Sequence, residues 1–347
     1  MTPLVMLLPA CAFLSIMLAI VPNLLWLIVW LIGKCFHCSV SYAPFGWTSL
    51  ALALLVWLVM MYGYLWGRWK LDLVPVSYQH QDIPASFSGY KIVHISDLHL
   101  STFNDNPQKL DRIVDSINAQ HPDLICFTGD LVTLGVKEAQ PYEKKLRRLH
   151  ARDGVMSVLG NHDFLLYAHY PDEPSRIDAV EQLVQFERQN LGWTVLRNQN
   201  KVIEAAADSN DRITIIGIDN QKGDAGFRTI SCGDLEVAKE GVDGFCILLS
   251  HDPGFWSSVV LRKTTIPLTL SGHTHAAQLR FFGWNPANWM FKETDGRYDE
   301  AGQTLYVNIG LGCTIPIRLG ANPEITVITL LPSETASSER ALSSRHE

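Results

Sequence analysis

Residues that can bind a metal follow five separate strand-like runs of the chain. The five motifs are Ser96-Asp97-Leu98-His99, Gly129-Asp130, Gly160-Asn161-His162-Asp163, Ser250-His251-Asp252 and Gly272-His273-Thr274-His275. Because α/β sheets place ligand sites at the carboxyl ends of their strands, we expect these motifs to meet at one site. Carboxylate, imidazole and amide groups are hard or borderline ligands, and no cysteine joins them. The sequence therefore predicts a site for divalent metals, with Mn, Fe or Zn as the candidates.

The spacing within the motifs supports this prediction. In Asp97-x-His99 and His273-x-His275, alternate residues of an extended segment point the same way, so both side chains can face one site. A glycine precedes Asp130, Asn161 and His273, and glycine allows sharp turns and close backbone approach. Each motif alone is a weak signal, but five of them in this order favour a built site.

Short β-branched runs alternate with helix-like segments from Tyr90 onward, which is typical of an α/β layered domain. The predicted strands are 91–95, 124–128, 155–159, 213–218, 245–249, 268–270, 305–309 and 325–330. The predicted helices are 108–120, 141–150, 179–190 and 235–240. These elements must place the five motifs at strand ends.

The first 67 residues carry a single charged side chain, Lys34. The apolar runs Leu4–Ile32 and Trp47–Trp66 are each long enough to cross a bilayer as a helix; the alternative is a pair of buried core helices. We therefore predict a membrane anchor with two transmembrane helices over 1–67 and a linker over 68–89. The remaining divisions are a catalytic domain over 90–331 and a disordered tail over 332–347.

Charge and cysteine content limit which partners and which cellular compartment the sequence is compatible with. The chain has 28 basic and 35 acidic residues, which argues against nucleic acid as a partner because phosphate backbones select basic surfaces. Arg68 and Lys70 follow the second span, so the positive-inside rule places the catalytic domain in the cytoplasm. Seven cysteines, with Cys126 and Cys246 inside strand-like runs, agree with reduced core thiols.

In their order, the motifs resemble those of the calcineurin-like metallophosphoesterase superfamily, which run DxH, GDxx, GNH(D/E), a separate His and GHxH. The resemblance covers about Tyr90 to Leu330. The preceding membrane spans and the late Gly310-Leu311-Gly312 resemble the bacterial membrane-associated phosphodiesterase branch. The resemblance implies an α/β fold, a four-layer α-β-β-α sandwich preceded by two transmembrane helices, in a multi-pass protein of the bacterial inner membrane.

The resemblance also implies two divalent metal ions and a catalytic role for two residues. One metal would be held by Asp97, His99 and His275, and the other by Asn161, His251 and His273. Asp130 would bridge the two metals, a bridging hydroxide would attack phosphorus, and His162 would act as general acid. Two positions depart from relatives: Thr133-Leu134 replaces the Asp-Arg pair of protein phosphatases, and Ala276-Ala277 replaces a frequent Gly-Gly.

We therefore expect a membrane-anchored phosphoesterase that hydrolyses a phosphodiester or pyrophosphate bond, with the phospholipid bilayer and a lipid-linked phosphoester as partners. A compound like UDP-2,3-diacylglucosamine is one candidate substrate. Two alternatives stay open: a broad-specificity phosphodiesterase merely localised to the membrane, and a non-catalytic metal-binding scaffold. The sequence leaves the oligomeric state open.

Aromatic residues crowd the segment 280–292, just after the last histidine motif. Phe281, Phe282, Trp284 and Trp289 are candidate substrate-binding residues. Gly and Pro within the segment indicate a loop. One interpretation packs these rings into the core or against the metal loop. The other makes them an apolar lip that contacts lipid or an acyl chain, flanked by Arg280 and Lys292, since Trp suits a membrane interface.

Overall fold

The computed structural model describes residues 3–205, 210–221 and 232–333, and within them the chain forms six α-helices and twelve strands. The helices are α1 Pro3–Cys35, α2 Ala43–Leu65, α3 Gln108–Asn118, α4 Glu143–Leu146, α5 Glu173–Gln185 and α6 Leu235–Ala238. The strands are β1 Asp72–His80, β2 Lys91–Ile95, β3 Leu124–Phe127, β4 Val155–Ser157, β5 Thr194–Val195, β6 Gln199–Glu204, β7 Arg212–Gly217, β8 Cys246–Leu249, β9 Leu268–Ser271, β10 Gly296–Glu300, β11 Gln303–Val307 and β12 Glu324–Pro332.

Two compact units divide the chain. The anchor unit comprises Met1–Trp69 together with the short segment Ile315–Leu319, and the catalytic unit comprises Lys70–Thr314 and Gly320–Glu347. The anchor unit is thus discontinuous in sequence, which the sequence patterns do not predict. The predicted tail lies, from residue 334 onward, outside the described residues.

In the anchor unit, α1 and α2 are long and apolar enough to cross a membrane. Most of their large apolar side chains are exposed, so the alternative of buried core helices is wrong. The polar Asn23 within α1 is satisfied between the helices: its amide donates to Ser49 Oγ over 3.1 Å and its carbonyl accepts from the Tyr42 hydroxyl over 2.8 Å. Hydrogen bonds of this kind reduce the cost of placing a polar side chain in lipid.

The catalytic unit contains two mixed sheets of six strands each. The first has the order β1-β12-β2-β3-β4-β5, and the second has the order β10-β11-β9-β8-β7-β6. Strands β2 to β5 run parallel, as do β7, β8, β9 and β11. The parallel strands therefore bring their carboxyl ends to one edge of each sheet.

The main core lies between the two sheets and follows from the two-residue period of strand side chains. In β8, Ile247 and Leu249 join the core between the sheets, whereas Cys246 and Leu248 join the cluster on the opposite face. That outer cluster includes Leu235 of α6 and residues near the turn around Trp256. The result is the four-layer sandwich that the resemblance implies, with helices outside two facing sheets.

Four strands were not predicted: β1, β5, β6 and β10. The linker expected over 68–89 is therefore wrong in its middle, because β1 pairs with β12 along its whole length, from Asp72 opposite Glu324 to His80 opposite Pro332. Pro75 lies within β1, and a strand at the edge of a sheet tolerates proline because one side needs no backbone donor.

Predicted helices exist at all four positions but with different bounds. The third begins earlier than expected, at Glu173, because the Asp172 side chain caps it by accepting from the Ser175 amide over 2.8 Å. Beyond Gln185 this helix widens into a π-helical turn, Phe186–Leu191. The helix predicted over 141–150 shortens to α4.

Candidate metal centre

The predicted ligands lie in loops that directly follow strands β2, β3, β8 and β9 or come shortly after β4, and the backbone there is unusual. Five of the seven have positive φ angles: Asp97 (51°), His99 (39°), Asp130 (60°), His273 (75°) and His275 (51°). Left-handed backbone is costly for residues other than glycine and concentrates at functional sites. These loops thus hold side chains in directions that ordinary turns do not provide.

A first group consists of Asp97, His99 and His275, all buried. His99 Nε2 lies 3.2 Å from His275 Nε2, and His275 Nε2 lies 3.2 Å from Asp97 Oδ1. The backbone amide of His273 donates to the other oxygen, Asp97 Oδ2, over 3.0 Å. The amide therefore fixes the carboxylate while its second oxygen faces the two imidazoles.

A second group consists of His251, His273 and Asn161 around Asp130. His251 Nε2 lies 3.1 Å from His273 Nδ1 and 3.1 Å from Asn161 Oδ1. His251 Nδ1 donates to the Thr128 carbonyl over 2.7 Å, which leaves Nε2 to face the centre.

Asp130 lies between the two groups. Its Oδ2 is 3.5 Å from His99 Nε2 and 3.2 Å from His251 Nε2. Its Oδ1 accepts the backbone amide of His162 over 2.8 Å. The structure thus brings together all seven residues predicted as ligands, with the carboxylate predicted to bridge placed between the two sets.

Two glycines make this packing possible. A Cβ atom at Gly160 would lie 2.2 Å from Asp130 Oδ1, and one at Gly272 would lie 2.4 Å from Asp97 Oδ2. No side chain fits at those distances. The close backbone approach expected of the glycines before Asn161 and His273 is present at both positions.

Electrostatics keep two key groups in the form that binds metal. Burial lowers the pKa of His99 to about 3 despite the nearby Asp130 carboxylate. Burial by itself would raise the pKa of Asp130, but His251 and the other surrounding imidazoles outweigh it and hold that pKa well below its usual range. Metal ligation requires neutral imidazole and ionised carboxylate, and these forms are favoured at His99 and Asp130. At His251, by contrast, burial lowers the pKa but the Asp130 carboxylate outweighs it and raises the pKa to about 10, so a bound cation would have to displace that proton.

The nitrogen positions fit a metal. Two ring nitrogens about 3.2 Å apart can share only one proton, and this arrangement occurs twice, at His99–His275 and at His251–His273. Two nitrogens bound to one zinc-sized cation at about 2.0–2.1 Å in tetrahedral geometry lie about 3.3 Å apart. The spacing of the ring nitrogens in each group therefore fits one divalent cation per group.

His162 is partly buried beside the centre, and its ring is held on three sides. Its Nδ1 lies 3.0 Å from the Thr133 carbonyl, to which it donates. The His99 ring stands perpendicular to it at 4.8 Å, and the Tyr167 ring stacks on it at 4.3 Å. The Thr133 carbonyl thus orients the imidazole at the place where protein phosphatases use an aspartate.

Two residues of this site had no role in the sequence prediction: Tyr167 was missed, and Asp163 was only noted as the last residue of its motif. Tyr167 stacks on His162 and accepts from Asn161 Nδ2 over 3.1 Å. The buried Asp163 accepts the backbone amides of Asp130 (2.7 Å) and Gly160 (3.0 Å) through one oxygen; burial and the charge of Asp130 raise its pKa to about 7. The fourth position of the GNH(D/E) motif gave a signal for Asp163, whereas nothing in the pattern marks Tyr167.

The aromatic segment lies at the surface. Phe281, Phe282, Trp284 and Trp289 are all exposed, so core packing does not apply to them. Phe291 differs, because its ring stands perpendicular to that of the ligand His273 at 5.4 Å. Phe291 thus packs against a predicted metal ligand, whereas the four candidate substrate-binding aromatics are exposed to solvent.

Comparison with known proteins places the chain in a family. The calcineurin-like phosphoesterase family model matches residues 90–277. The Bacillus subtilis (strain 168) protein named uncharacterized metallophosphoesterase YkuE is 34% identical over 259 residues, 72% of this chain and 81% of that protein. A Danio rerio transmembrane protein with metallophosphoesterase domain is 29% identical over 302 residues, 84% of this chain and 64% of that protein.

Among solved structures, TT1561 of Thermus thermophilus aligns with a TM-score of 0.40 and 12% identity, covering 65% of this chain and 91% of that one. The extent of the family match and the identity to the Bacillus protein carry the assignment. The chain belongs to the calcineurin-like phosphoesterase family of metal-dependent phosphoester hydrolases.

Proposed function

We propose that this protein is a membrane-anchored hydrolase of a phosphodiester or pyrophosphate bond in a lipid-linked substrate, and that it uses two divalent metals of the Mn, Fe or Zn type. The observation that carries the proposal is the convergence of six other ligand side chains around Asp130, all buried except the half-buried His273, in a chain that also has two membrane-length helices. The relative named as a transmembrane protein with a metallophosphoesterase domain supports the same combination.

The centre's own residues divide the work. When bound, two cations would activate water and offset the charge of a phosphoryl group. Asp130 would supply the negative charge that reduces repulsion between two neighbouring cations. Asp97 and the four ligand histidines are buried or half-buried, and backbone groups orient Asp97 and His251. These contacts favour a site whose geometry is set before the substrate binds.

His162 is the proposed general acid. Because its Nδ1 proton is directed at the Thr133 carbonyl, which can only accept, the ring gains and loses its second proton at Nε2. In the protonated state, Nε2–H can be given to the oxygen that leaves phosphorus. The stacked Tyr167 and the perpendicular His99 restrict rotation of the ring.

The proposed substrate class rests on the anchor and on the exposed aromatics that follow the last ligands. Both favour a substrate held in a bilayer, for which a compound like UDP-2,3-diacylglucosamine is one candidate. Thr133-Leu134 supplies no arginine to grip a phosphoprotein, which speaks against protein phosphatase activity.

The full-length chain, purified in detergent and supplied with Mn²⁺, should be assayed on bis(p-nitrophenyl) phosphate and on a bacterial lipid extract. We expect EDTA-sensitive hydrolysis of the chromogenic diester and a new phosphate-containing product from the extract. Turnover of the diester without any lipid product would favour the broad-specificity alternative. No turnover with both metals bound would favour the scaffold and contradict the proposal.

His162→Ala tests the acid role. Metal content should stay at the wild-type level, whereas cleavage of diesters with basic alkoxide leaving groups should slow by roughly 10²–10⁴-fold. Loss of activity on a p-nitrophenyl ester should be smaller, because p-nitrophenolate leaves without protonation. Equal losses across a series of leaving groups would contradict general-acid catalysis by this residue.

A further inference from the structure

A tight aromatic hairpin follows the last predicted ligands. Phe281 and Trp284 exchange backbone hydrogen bonds of 2.8 and 3.0 Å, and the two residues between them, Phe282 and Gly283, both have positive φ. Two central residues with positive φ are typical of the tightest β-hairpin turns, and a single isolated bridge closes this one. It places the Phe282 ring at the tip, where it is fully exposed.

Further apolar side chains extend the hairpin into a patch. We call the exposed set Phe281, Phe282, Trp284, Trp289 and Met290 the aromatic lip; each member is at least 42% exposed. The Trp284 and Trp289 rings meet edge to face at 5.0 Å. Contiguous exposed aromatics of this kind mark interaction surfaces rather than the scattered apolar residues of an ordinary surface.

The lip is held rigidly by polar contacts beneath it. The fully buried Asn285 donates to Thr294 Oγ1 over 3.2 Å and to Asp295 Oδ1 over 3.0 Å, and it forms a reciprocal capping box with Asn288. Arg280 is ion-paired with Asp295. The aromatic rings are therefore exposed by a built loop, and Arg280 serves that loop rather than lipid phosphates.

Lys292 Nζ lies 3.7 Å from the buried Glu293 carboxylate, but the lysine side chain is 73% exposed and faces solvent beside the lip. Tryptophan rings combined with a flexible lysine are typical of surfaces that sit at the headgroup level of a bilayer. The lip also leads to the centre, since Phe291, between Met290 and Lys292, contacts the ring of His273.

The chain itself supplies a bilayer for this surface. The catalytic unit begins at Lys70, directly after Trp69, where the first segment of the anchor unit ends. The base of the hairpin is bonded to two residues of the catalytic unit: Gln278 accepts from the Thr314 amide over 2.8 Å, and Leu279 pairs with Gly320. Thr314 and Gly320 flank the segment Ile315–Leu319 in sequence, and that segment belongs to the anchor unit.

We propose that the aromatic lip docks on the lipid bilayer that α1 and α2 occupy, with the rings of Phe282, Trp284 and Trp289 entering the interface and Lys292 meeting lipid phosphates. The inference rests on the membrane anchoring in the proposed function and not on its chemistry. Docking would present the metal centre to phosphate groups at the membrane surface.

The test uses tryptophan fluorescence of the full-length chain in phosphatidylcholine–phosphatidylglycerol vesicles, with and without bromine atoms on the acyl chains. Subtracting the emission of the double variant Trp284→Phe/Trp289→Phe from that of the wild type isolates the two lip tryptophans. We expect brominated lipid to quench this difference emission by roughly twofold or more, because bromine quenches only rings that reach the acyl region.

Trp256→Phe is the matched control, since Trp256 is buried in the same unit, and its difference emission should not respond to bromine. A second variant, Phe282→Asp, keeps both lip tryptophans and should reduce their quenching. Lip emission that is quenched by aqueous iodide but not by bromine would overturn the proposal. Emission protected from both quenchers would instead indicate a contact with another protein copy, and would overturn it too. Since no step measures turnover, loss of the proposed catalytic function would leave this result intact.

Discussion

The loops that carry the predicted metal ligands and the aromatic lip both depart from the usual placement of side chains. The loops bury polar groups, whereas the lip exposes aromatic ones. At the centre, carboxylates and imidazoles are buried, with Asp97 and His99 fully enclosed. A few residues further along the chain from His275, aromatic rings stand in solvent. Ordinary folding energetics favours neither, because buried charge and exposed aromatic surface are both costly.

The two regions differ in what stabilises the inversion. Around the centre, the polar groups compensate each other: backbone amides bind the carboxylates and carbonyls bind the ring nitrogens. In the lip, the rings contact mainly each other, and the hydrogen bonds lie below them. The polar groups of the centre are thus paired within the chain, whereas the rings of the lip stay exposed although hydrogen bonds hold their backbone.

Of the substitutions considered, Asp130→Asn should have the largest effect. It tests whether the buried centre depends on the charge of this carboxylate. A neutral amide between the two ligand groups weakens both cation sites, so we expect loss of bound metal and a fall in kcat of more than about a hundredfold. Metal analysis and kinetics on a phosphodiester check this. Asp82→Asn, at an exposed aspartate, is the control; wild-type activity in Asp130→Asn with both metals retained would contradict the central role of this carboxylate.

His94→Asn should have an intermediate effect. His94 is buried in β2 but is not one of the predicted ligands, so it shows what burial alone does to an imidazole in this unit. Burial lowers its pKa to about 3, so the unfolded chain takes up a proton near pH 6.5 that the folded chain refuses. Stability from this residue is therefore lost as pH falls from about 6.5 toward 3, by about 2 kcal/mol at pH 5.

Urea unfolding of wild type and His94→Asn at pH 7 and pH 5 measures this term, because the other titrating groups cancel between the two proteins. The difference between their unfolding free energies should change by about 2 kcal/mol over that range. If the unfolding free energies of the two proteins change equally with pH, burial does not lower the pKa of His94, and the prediction is wrong.

Phe282→Ala should have the smallest effect. Because its ring is exposed, the substitution should change the unfolding free energy in detergent by less than about 0.5 kcal/mol. Phe245→Ala, in the core between the sheets, should cost about 3–5 kcal/mol by comparison. A large loss at Phe282 would mean that the lip supports the fold and would remove the contrast between the two regions.

Sequence patterns predicted the inner strands of both sheets and missed the four outer ones. Strands β1, β5, β6 and β10 are the edges of their sheets. An edge strand is partly solvated and need not be apolar, so Gln199–Glu204 and Gly296–Glu300 carry mostly polar residues. Hydrophobic periodicity therefore has little signal at the sheet edges, where pairing depends on a neighbour distant in sequence.

The same distinction holds at the site. The predicted ligands sit in short local motifs, because each loop must contribute its ligands within a few residues of a strand end. Thr133 and Tyr167 act through a backbone carbonyl and a ring face, and neither role requires a particular neighbouring residue. Such contacts arise only when the chain is folded, so a single sequence cannot mark them.

The discontinuous anchor has a practical consequence for anyone who wants a water-soluble enzyme. Deleting residues 1–69 would remove Leu7, Cys11 and Met60, which bury Ile317 together with its neighbours. The deletion would thus expose the side chain of Ile317, which would then form part of an apolar, aggregation-prone surface. Solubilisation has to be engineered at two separate places, by removing the helices and by replacing apolar residues of Ile315–Leu319 with polar ones.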